Sequence, residues 1–519
     1  MKKRLLLLTL ILFSISVQGQ IKFQKFYGGN NSEIAVNTIQ TRDGGYLMTG
    51  LTMTYGAGDD DVYLIKTDSN GSPLWTKVFG GVDLEIGQSA VQTSDGGYLI
   101  VAITWSFGRD ALLLRTDSLG NLLWSKTIGG SDLDQISSIK AVHNGYFLSG
   151  YTESYGSGNE DLYVIKLDTN ANVVWTKTYG GVNPERGNDF IVTRDGGFVI
   201  AGLIYVNVPG LPDMYMLRAD SAGNFLWSRA IGGTYYDEAY RLQETPDSGF
   251  VVVGRTGSFP PNDPNILLIK TDANGNLLWA ETIGGSMDDA GTGIIVTEDG
   301  ELVITGYTNS SGAGDYDVFM YKTDEDGNSI YSMTYGSTGF DRALGIIQTA
   351  DKGFCMYGES FNSIQLNPDV YLIKTDSSGK VDCNIIMNTA LVSHQQTPSV
   401  ISPPTFVSSG GVDTIRTVFT TTGGIETTVC LTNRIATTDE ENFLLFPNPA
   451  RTEIIIHLPR AMQYHVQLKK YTGELLQEQI TTNTNLMLNI SDLTAGLYFL
   501  SITDESGKSI VRKFVKAEM

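Results

Sequence analysis

The chain has 519 residues, with 57 Asp and Glu against 36 Lys and Arg, a formal charge of −21. That balance repels nucleic acid and anionic lipid, so neither is expected as a partner; 41% apolar and 10% aromatic residues are enough to build cores, which excludes a disordered acidic chain. Glycine is abundant, 58 residues against 15 prolines, and points to many short strands joined by tight turns rather than to collagen or a proline-rich linker.

The first element reads as an export signal: Lys2, Lys3 and Arg4, then an apolar run from Leu5 to Val17, then Gly19 before Gln20. The run is too short to span a bilayer comfortably, and no later segment reads as a membrane helix. Val17 and Gly19 suit signal peptidase, so residues 1–19 are expected to be a signal peptide cut after Gly19.

From residue 20 to about 382 the sequence repeats itself. An aromatic residue or Ile followed by Gly-Gly, or by Gly-Ser in the last copy, recurs at Gly28, Gly80, Gly129, Gly180, Gly232, Gly284 and Gly336, 49 to 52 residues apart. Each copy has four apolar runs of period-two character, which in the first are Ala35 to Gln40, Tyr46 to Leu51, Val62 to Thr67 and Leu74 to Phe79. Asp-Gly turns, as at Asp43, Asp95, Asp195 and Asp299, separate the first two runs; a turn such as Asp68-Ser69-Asn70-Gly71 separates the last two. This all-β pattern predicts a seven-bladed β-propeller of four-stranded blades; a helical solenoid would need apolar residues at helical spacing, which no copy carries. The seventh copy has no fourth run, and Ile21 to Tyr27 precedes the first Gly-Gly with no blade of its own. This segment is therefore predicted to complete the seventh blade and close the ring.

Asp-x-x-Gly-x-x-x-Trp recurs at Trp75, Trp124, Trp227 and Trp279; Ala171 replaces the glycine before Trp175, and Tyr331 replaces the tryptophan in the sixth copy. These turns resemble the tryptophan-docking repeats of quinoprotein-like propellers, which implies that each tryptophan lies on the outermost strand of its blade.

Aligned copies define columns of charge. Lys66, Arg115, Lys166, Arg218, Lys270, Lys322 and Lys374 form a basic column near the end of the third strand, followed two residues later by Asp68 and its equivalents, and turn-locking ion pairs are expected there. A third column, Glu33, Glu85, Asp134, Glu185, Asp237, Asp289 and Asp341, stands five residues after each first glycine, where the carboxylates should circle one mouth of the channel. They suit bonds from the amides of their own Gly-Gly loops or, alternatively, a Ca²⁺ or polycation site. An asymmetric ligand needs features that differ between blades. Exposed loop aromatics supply them at Trp105, Tyr205, Tyr235, Tyr236, Phe259 and Phe361, which suit sugar stacking or protein contacts.

Catalytic motifs are absent from the sequence. Of four histidines, His143 fills the Asp-Gly turn column, and His394, His457 and His465 lie outside the repeats. No metal-ligand motif or quinone site is present, so no cofactor beyond Ca²⁺ is expected. A glycan-active hydrolase or lyase using ring carboxylates is the alternative to non-catalytic binding. Cys355 aligns with buried strand positions. Cys383 and Cys430 bracket a Thr, Ser and Val-rich stretch in a β-rich linker or subdomain, 383–440, and could form a disulfide in an exported chain.

From residue 441 the Gly-Gly repeat ends. Runs at Ile454 to Leu458, Val466 to Tyr471, Leu475 to Ile480, Leu486 to Ile490, Gly496 to Ile502 and Ser509 to Val515 predict a small β-sandwich. Phe446-Pro447-Asn448-Pro449-Ala450, Gly473-Glu474-Leu475, Leu493-Thr494-Ala495-Gly496-Leu497-Tyr498 and Lys513-Phe514-Val515-Lys516 resemble the type A C-terminal sorting domain of the type IX secretion system, a family found in Bacteroidota. The resemblance covers 441–519. It implies an immunoglobulin-like sandwich that directs a periplasmic cargo across the outer membrane through the secretion translocon and a sortase, to be released or attached at the surface. The expected partners are that machinery and an extracellular glycan or protein.

Overall fold

The computed structural model describes residues 20–206, 210–259, 264–361, 367–381, 385–388, 391–402, 406–408, 412–416, 419–421, 425–433, 444–446, 452–458, 463–470, 474–494, 496–504 and 509–516. The expected signal peptide, 1–19, and Pro447, Asn448, Pro449, Gly473 and Cys383 lie outside these residues, as do the side chains of Cys430 and Lys513. Contacts divide the chain into two compact units, one spanning Gly19–Arg434 and one containing Ile435–Met519.

Every repeat folds as its apolar runs predict. In the first, Glu33–Gln40, Tyr46–Thr52, Asp61–Thr67 and Pro73–Gly80 pair in that order into one antiparallel sheet. The second and third strands are buried at every residue, because these continuous apolar runs have a neighbour on both faces. Seven apolar clusters fill the spaces between successive sheets. The last joins the seventh sheet to the first, with Cys355, Val370 and Leu372 packed beside Ala35, Tyr46 and Met48. The missing fourth strand of the seventh repeat is supplied by Ile21–Gly28, which pairs antiparallel with Asp369–Lys374.

A fifth strand completes each sheet, and all seven come from one stretch of chain. Ile385–Asn388 pairs with the sixth sheet, Val392–Gln396 with the fifth, Ser399–Ile401 with the fourth and Phe406–Ser408 with the third. Val412–Arg416 then joins the second, Phe419–Thr421 the first, and Ile425–Asn433 the seventh, against Ile21–Gly28. The segment is a belt that retraces the sheets in reverse order. Four strands per sheet and a β-rich linker are what the sequence predicts; the belt escapes that reading because its short strands carry neither turn marker and each partner is far away in sequence. As a result Ile21–Gly28 is an interior strand, held between Asp369–Lys374 and Ile425–Asn433.

The C-terminal unit has a three-stranded sheet, Leu444–Phe446, Glu453–His457 and Asn485–Asn489, and a four-stranded sheet ordered Leu475–Thr481, Tyr464–Lys470, Gly496–Asp504 and Ser509–Lys516. Alternate residues of both sheets, among them Ile454, Ile456, Val466, Leu468, Leu488 and Leu500, share one core. Tyr498 is buried there, and its hydroxyl donates to the Thr494 carbonyl at 2.8 Å. Among the described residues no helix is long and apolar enough to cross a membrane.

The belt should contribute measurably where it covers Ile21–Gly28. A chain ending at Asn433 is expected to unfold in urea with the midpoint of the full repeat unit, whereas one ending at Thr421, which lacks Ile425–Asn433, should lose roughly 3 kcal/mol or more, from several main-chain hydrogen bonds at about 1 kcal/mol each.

Candidate functional site

All seven residues of the acidic column are buried, at 0 or 1% exposure. Each accepts a hydrogen bond from the amide of the second residue of its own Gly-Gly or Gly-Ser loop: Gly29 to Glu33 at 2.7 Å, Gly81 to Glu85 at 2.5 Å, Gly130 to Asp134 at 2.6 Å, Gly233 to Asp237 at 2.8 Å, Gly285 to Asp289 at 2.9 Å and Ser337 to Asp341 at 2.8 Å. Gly181 donates to both oxygens of Glu185 at 3.2 Å. Hydroxyls at the end of the second strand supply further bonds, as from Thr52 to Glu33 at 2.7 Å and from Thr104 to Glu85 at 2.6 Å.

Facing this column is a second one that the sequence columns above do not include, at the first residue of the third strand or, for Asp110, just before it: Asp61, Asp110, Asp161, Asp213, Asn265, Asp317 and Asp369. The first loop glycine lies between the two. A Cβ on Gly80 would fall 1.7 Å from Asp61 Oδ1 and 2.9 Å from Glu85 Oε2, and one on Gly28 would fall 1.7 Å from Asp369 Oδ1 and 3.0 Å from Glu33 Oε2. Close approach of two carboxylates therefore demands the glycine. In the first, third and sixth sheets the Gly-rich loop wraps the far side of the Asp, with Ala57 and Gly58 donating to Asp61 Oδ2 at 3.0 and 3.2 Å and equivalent amides to Asp161 and Asp317. Among the described residues no group of three or more His, Cys, Asp or Glu is arranged to hold a metal ion.

At the opposite strand ends, the basic column pairs with the Asp-Gly turn: Lys66 with Asp43 at 2.9 Å, Arg115 with Asp95 at 2.5 Å, Arg218 with Asp195 at 2.7 Å, Lys270 with Asp247 at 3.3 Å and Lys374 with Asp351 at 3.1 Å. The Asp two residues further on locks its own turn instead. Asp68 Oδ1 accepts from the Asn70 and Ser72 amides at 2.9 and 2.8 Å.

The six loop aromatics stand on four different sheets. Trp105 and Tyr235 are half exposed or more, at 52 and 60%, and Arg109 lies 5.3 Å from the Trp105 ring. Tyr205 and Tyr236 are half-buried, and Phe259 packs on the core between the fourth and fifth sheets. Phe361 belongs to a larger cluster: its ring meets Phe340 at 5.1 Å, which meets Tyr316 at 4.8 Å, which meets Tyr307 at 5.5 Å.

That cluster leads to the strongest departure from sevenfold recurrence. The residue after each acid pairs across the first hairpin: Ile34 with Leu51 and Ile86 with Ile103 in the first two sheets, but Gln135 with Tyr151, Arg186 with Leu203, Glu238 with Arg255, Ala290 with Tyr307 and Arg342 with Glu359 in the others. Their side chains link sheet to sheet. Arg186 donates to both oxygens of Glu160 at 2.6 and 2.5 Å, and that bond raises its pKa further above its ordinary value. Asn188 reaches Glu238 at 2.8 Å, Arg255 reaches Asp288 at 2.7 Å, and Tyr316 donates to Asp288 at 3.1 Å. Arg342 bonds Glu359 while lying 4.7 Å from the Phe340 ring and 5.6 Å from Tyr307. The three guanidiniums are each anchored on a carboxylate yet partly open to solvent, at 45, 27 and 34%. Planar donors, carboxylates and ring faces on a rigid framework are the groups that bind polar, hydroxyl-rich ligands. A comparison of the position after the acidic column would have found them.

Residues 444–517 match the secretion system C-terminal sorting domain family. This supports a cargo of the type IX secretion system that reaches the cell surface or the medium, and it implies interaction with that machinery. The regulatory protein FlaEY of Caulobacter vibrioides is 24% identical over 174 residues, 29% of this chain and 18% of that protein, so the chain spans under a fifth of that relative's length. Among solved structures, the chain is similar to a protein of unknown function from Dyadobacter fermentans, at 9% identity over 72% of this chain and 99% of the other, with a TM-score of 0.39. It is also similar to PorZ, a bacterial surface component of the type IX secretion system of Porphyromonas gingivalis, at 8% identity over 93% of each chain, with a TM-score of 0.23.

The facing carboxylates set a pH dependence. Burial, then the neighbouring Asp237 or Glu33, raises Asp213 and Asp369 from 3.8 to about 6, and burial raises Asp317 to about 6 and Glu185 to about 8. Stability from their neutral forms is full below the ordinary carboxylate range and is lost as pH rises through about 6 and then 8. The turn aspartates Asp95 and Asp195, lowered first by the Thr93 and Thr193 hydroxyls, act oppositely and lose stability as pH falls below 3.8. Maximal resistance to urea is therefore expected between about pH 4 and 6. Asp369→Asn, which copies Asn265 of the fifth sheet, should add about 1 kcal/mol at pH 8 and nothing at pH 4.

Proposed function

We propose that the seven sheets are the blades of a closed β-propeller sealed by Ile21–Gly28, and that the protein is a surface or secreted, non-catalytic binder of an extracellular glycan. The observation that carries this reading is the break in recurrence: charged and aromatic pairs replace aliphatic ones in the third to seventh sheets, around Arg186, Arg255 and Arg342. Trp105, Tyr205, Tyr235, Tyr236, Phe259 and Phe361 lie at the same strand ends and would extend the contact surface. The acidic column serves the loops in this reading, since buried carboxylates are closed to a substrate.

Export begins with a signal peptide cut after Gly19, in a member of the Bacteroidota. The mature chain comprises the propeller, 20–382, the β-rich segment, 383–440, and the sorting domain, 441–519, whose Pro447, Asn448, Pro449, Gly473, Gly496, Tyr498 and Lys513 meet the translocon and sortase.

Calorimetry against a panel of surface and dietary polysaccharides, with the double variant Arg186→Ala/Arg342→Ala and its melting temperature as a control, tests the binding. The wild type should bind a panel member without product release, and the double variant should bind roughly tenfold more weakly or worse. Cleaved product would favour the hydrolase or lyase, and capture of a protein but no glycan would replace the ligand class. For export, a chain lacking 441–519 should remain in the periplasm; normal surface delivery refutes the sorting role.

A further inference from the structure

The third repeat departs from the other six at both of its turns, and the two departures meet at one junction. Val142 pairs with Gly145, so only His143 and Asn144 close its first hairpin, where Gln40 pairs with Tyr46 in the first sheet across five intervening residues. Ala141 stands where Gln92 and Gln40 accept the amides of Arg42 and Ala350, at 2.9 and 2.8 Å, to clip neighbouring turns together. The turn of the second sheet therefore has no equivalent clip onto the third.

At the other turn, Ala171 takes φ +59° where the equivalent glycines have φ of 74 to 90°. A left-handed alanine costs about 1 kcal/mol. It also needs room: a Cβ on Gly120, Gly223 or Gly275 would fall 2.8 to 2.9 Å from the indole of the preceding repeat, closer than a methyl can stand to a ring. Between the Asp-Gly turn of the second sheet and the Ala171 turn of the third lies a cavity of about 380 Å³ lined by Asp95, Arg115, Trp124, Tyr146, Asn170 and Ala171. Tyr146 is 9% exposed, while every other residue in its column, from Tyr46 to Phe354, is at 1% or less.

We propose that this cleft between the second and third sheets is a binding site for a neutral saccharide, one or two pyranose rings in size. It lies at the Asp-Gly turn end of the strands, opposite the inner-strand cluster, and does not depend on the function proposed for that cluster. The chemistry selects the ligand. Arg115 grips both oxygens of Asp95, at 2.7 and 2.5 Å, and Thr93 donates to Asp95 at 2.6 Å, so neither charge is left unpaired to recruit an anion or a cation. What the cleft offers is fixed donors and acceptors beside an indole and a phenol, the combination that holds a ring with a polar rim and apolar faces.

Saturation-transfer NMR with cellobiose, maltose and N,N′-diacetylchitobiose, on the full chain, tests the site. At least one disaccharide should receive saturation from the wild type. Replacing His143-Asn144 by a copy of the 93–97 turn fills the gap and should weaken that binding at least tenfold with no fall in melting temperature. Trp124→Phe, which keeps an aromatic packing partner, should weaken it severalfold and decides the matter if the grafted chain does not fold. Arg186→Ala/Arg342→Ala should leave it unchanged, so failure of the inner-strand reading is distinguishable. No transfer to any of the three sugars, undiminished transfer in both the graft and Trp124→Phe, or loss in the arginine variant overturns the proposal.

Discussion

A sheet that is apolar on both faces cannot stand at the end of a stack. The second and third strands of each repeat are buried along nearly their whole length, so every sheet needs a neighbour on each side. Seven such sheets satisfy the requirement when the seventh packs on the first, as it does through Phe23, Cys355, Tyr357 and Leu372 against Ala35, Tyr46 and Met48. Hairpin registers, turn locks and buried loop acids all operate inside that constraint.

The columns that recur in all seven repeats serve the framework. Lysines and arginines tie strand ends to turn aspartates, and the acidic column ties each Gly-Gly loop to the hairpin it enters. The paired carboxylates carry a tension the fold tolerates, because loop amides and hydroxyls compensate one member and protonation relieves the other. Residues that do not recur have no such duty. They gather in two places, the cross-strand pairs around Arg186, Arg255 and Arg342, and the cleft beside Trp124.

The repeats, their four strands and the pairing of Ile21–Gly28 with the seventh sheet were legible because period-two runs and Asp-Gly turns act locally. Asp61 and its equivalents were not, since their meaning depends on a loop glycine 19 residues away, or for Asp369 on Gly28 at the other end of the repeats, coming between them and a second acid. The belt was illegible for a related reason: Phe419–Thr421 is only part of a Thr-rich stretch until Val78–Gly80 is seen beside it. Loop aromatics such as Trp105 and Tyr235 stand out in the sequence as blade-specific departures on loops, whereas Arg186 and Arg342 sit within regular strands and stand out only against Ile34 and Ile86.

The pairing of Ile21 with Asn433 brings the two ends of the repeat unit to one corner of the seventh sheet. Whatever is joined at Asn433, a delivery module or a covalent tether to a surface, departs from beside the amino end. Loss of either end therefore strips a strand from the same sheet, so the first strand of the repeat unit and the last strand of the belt stand or fall together.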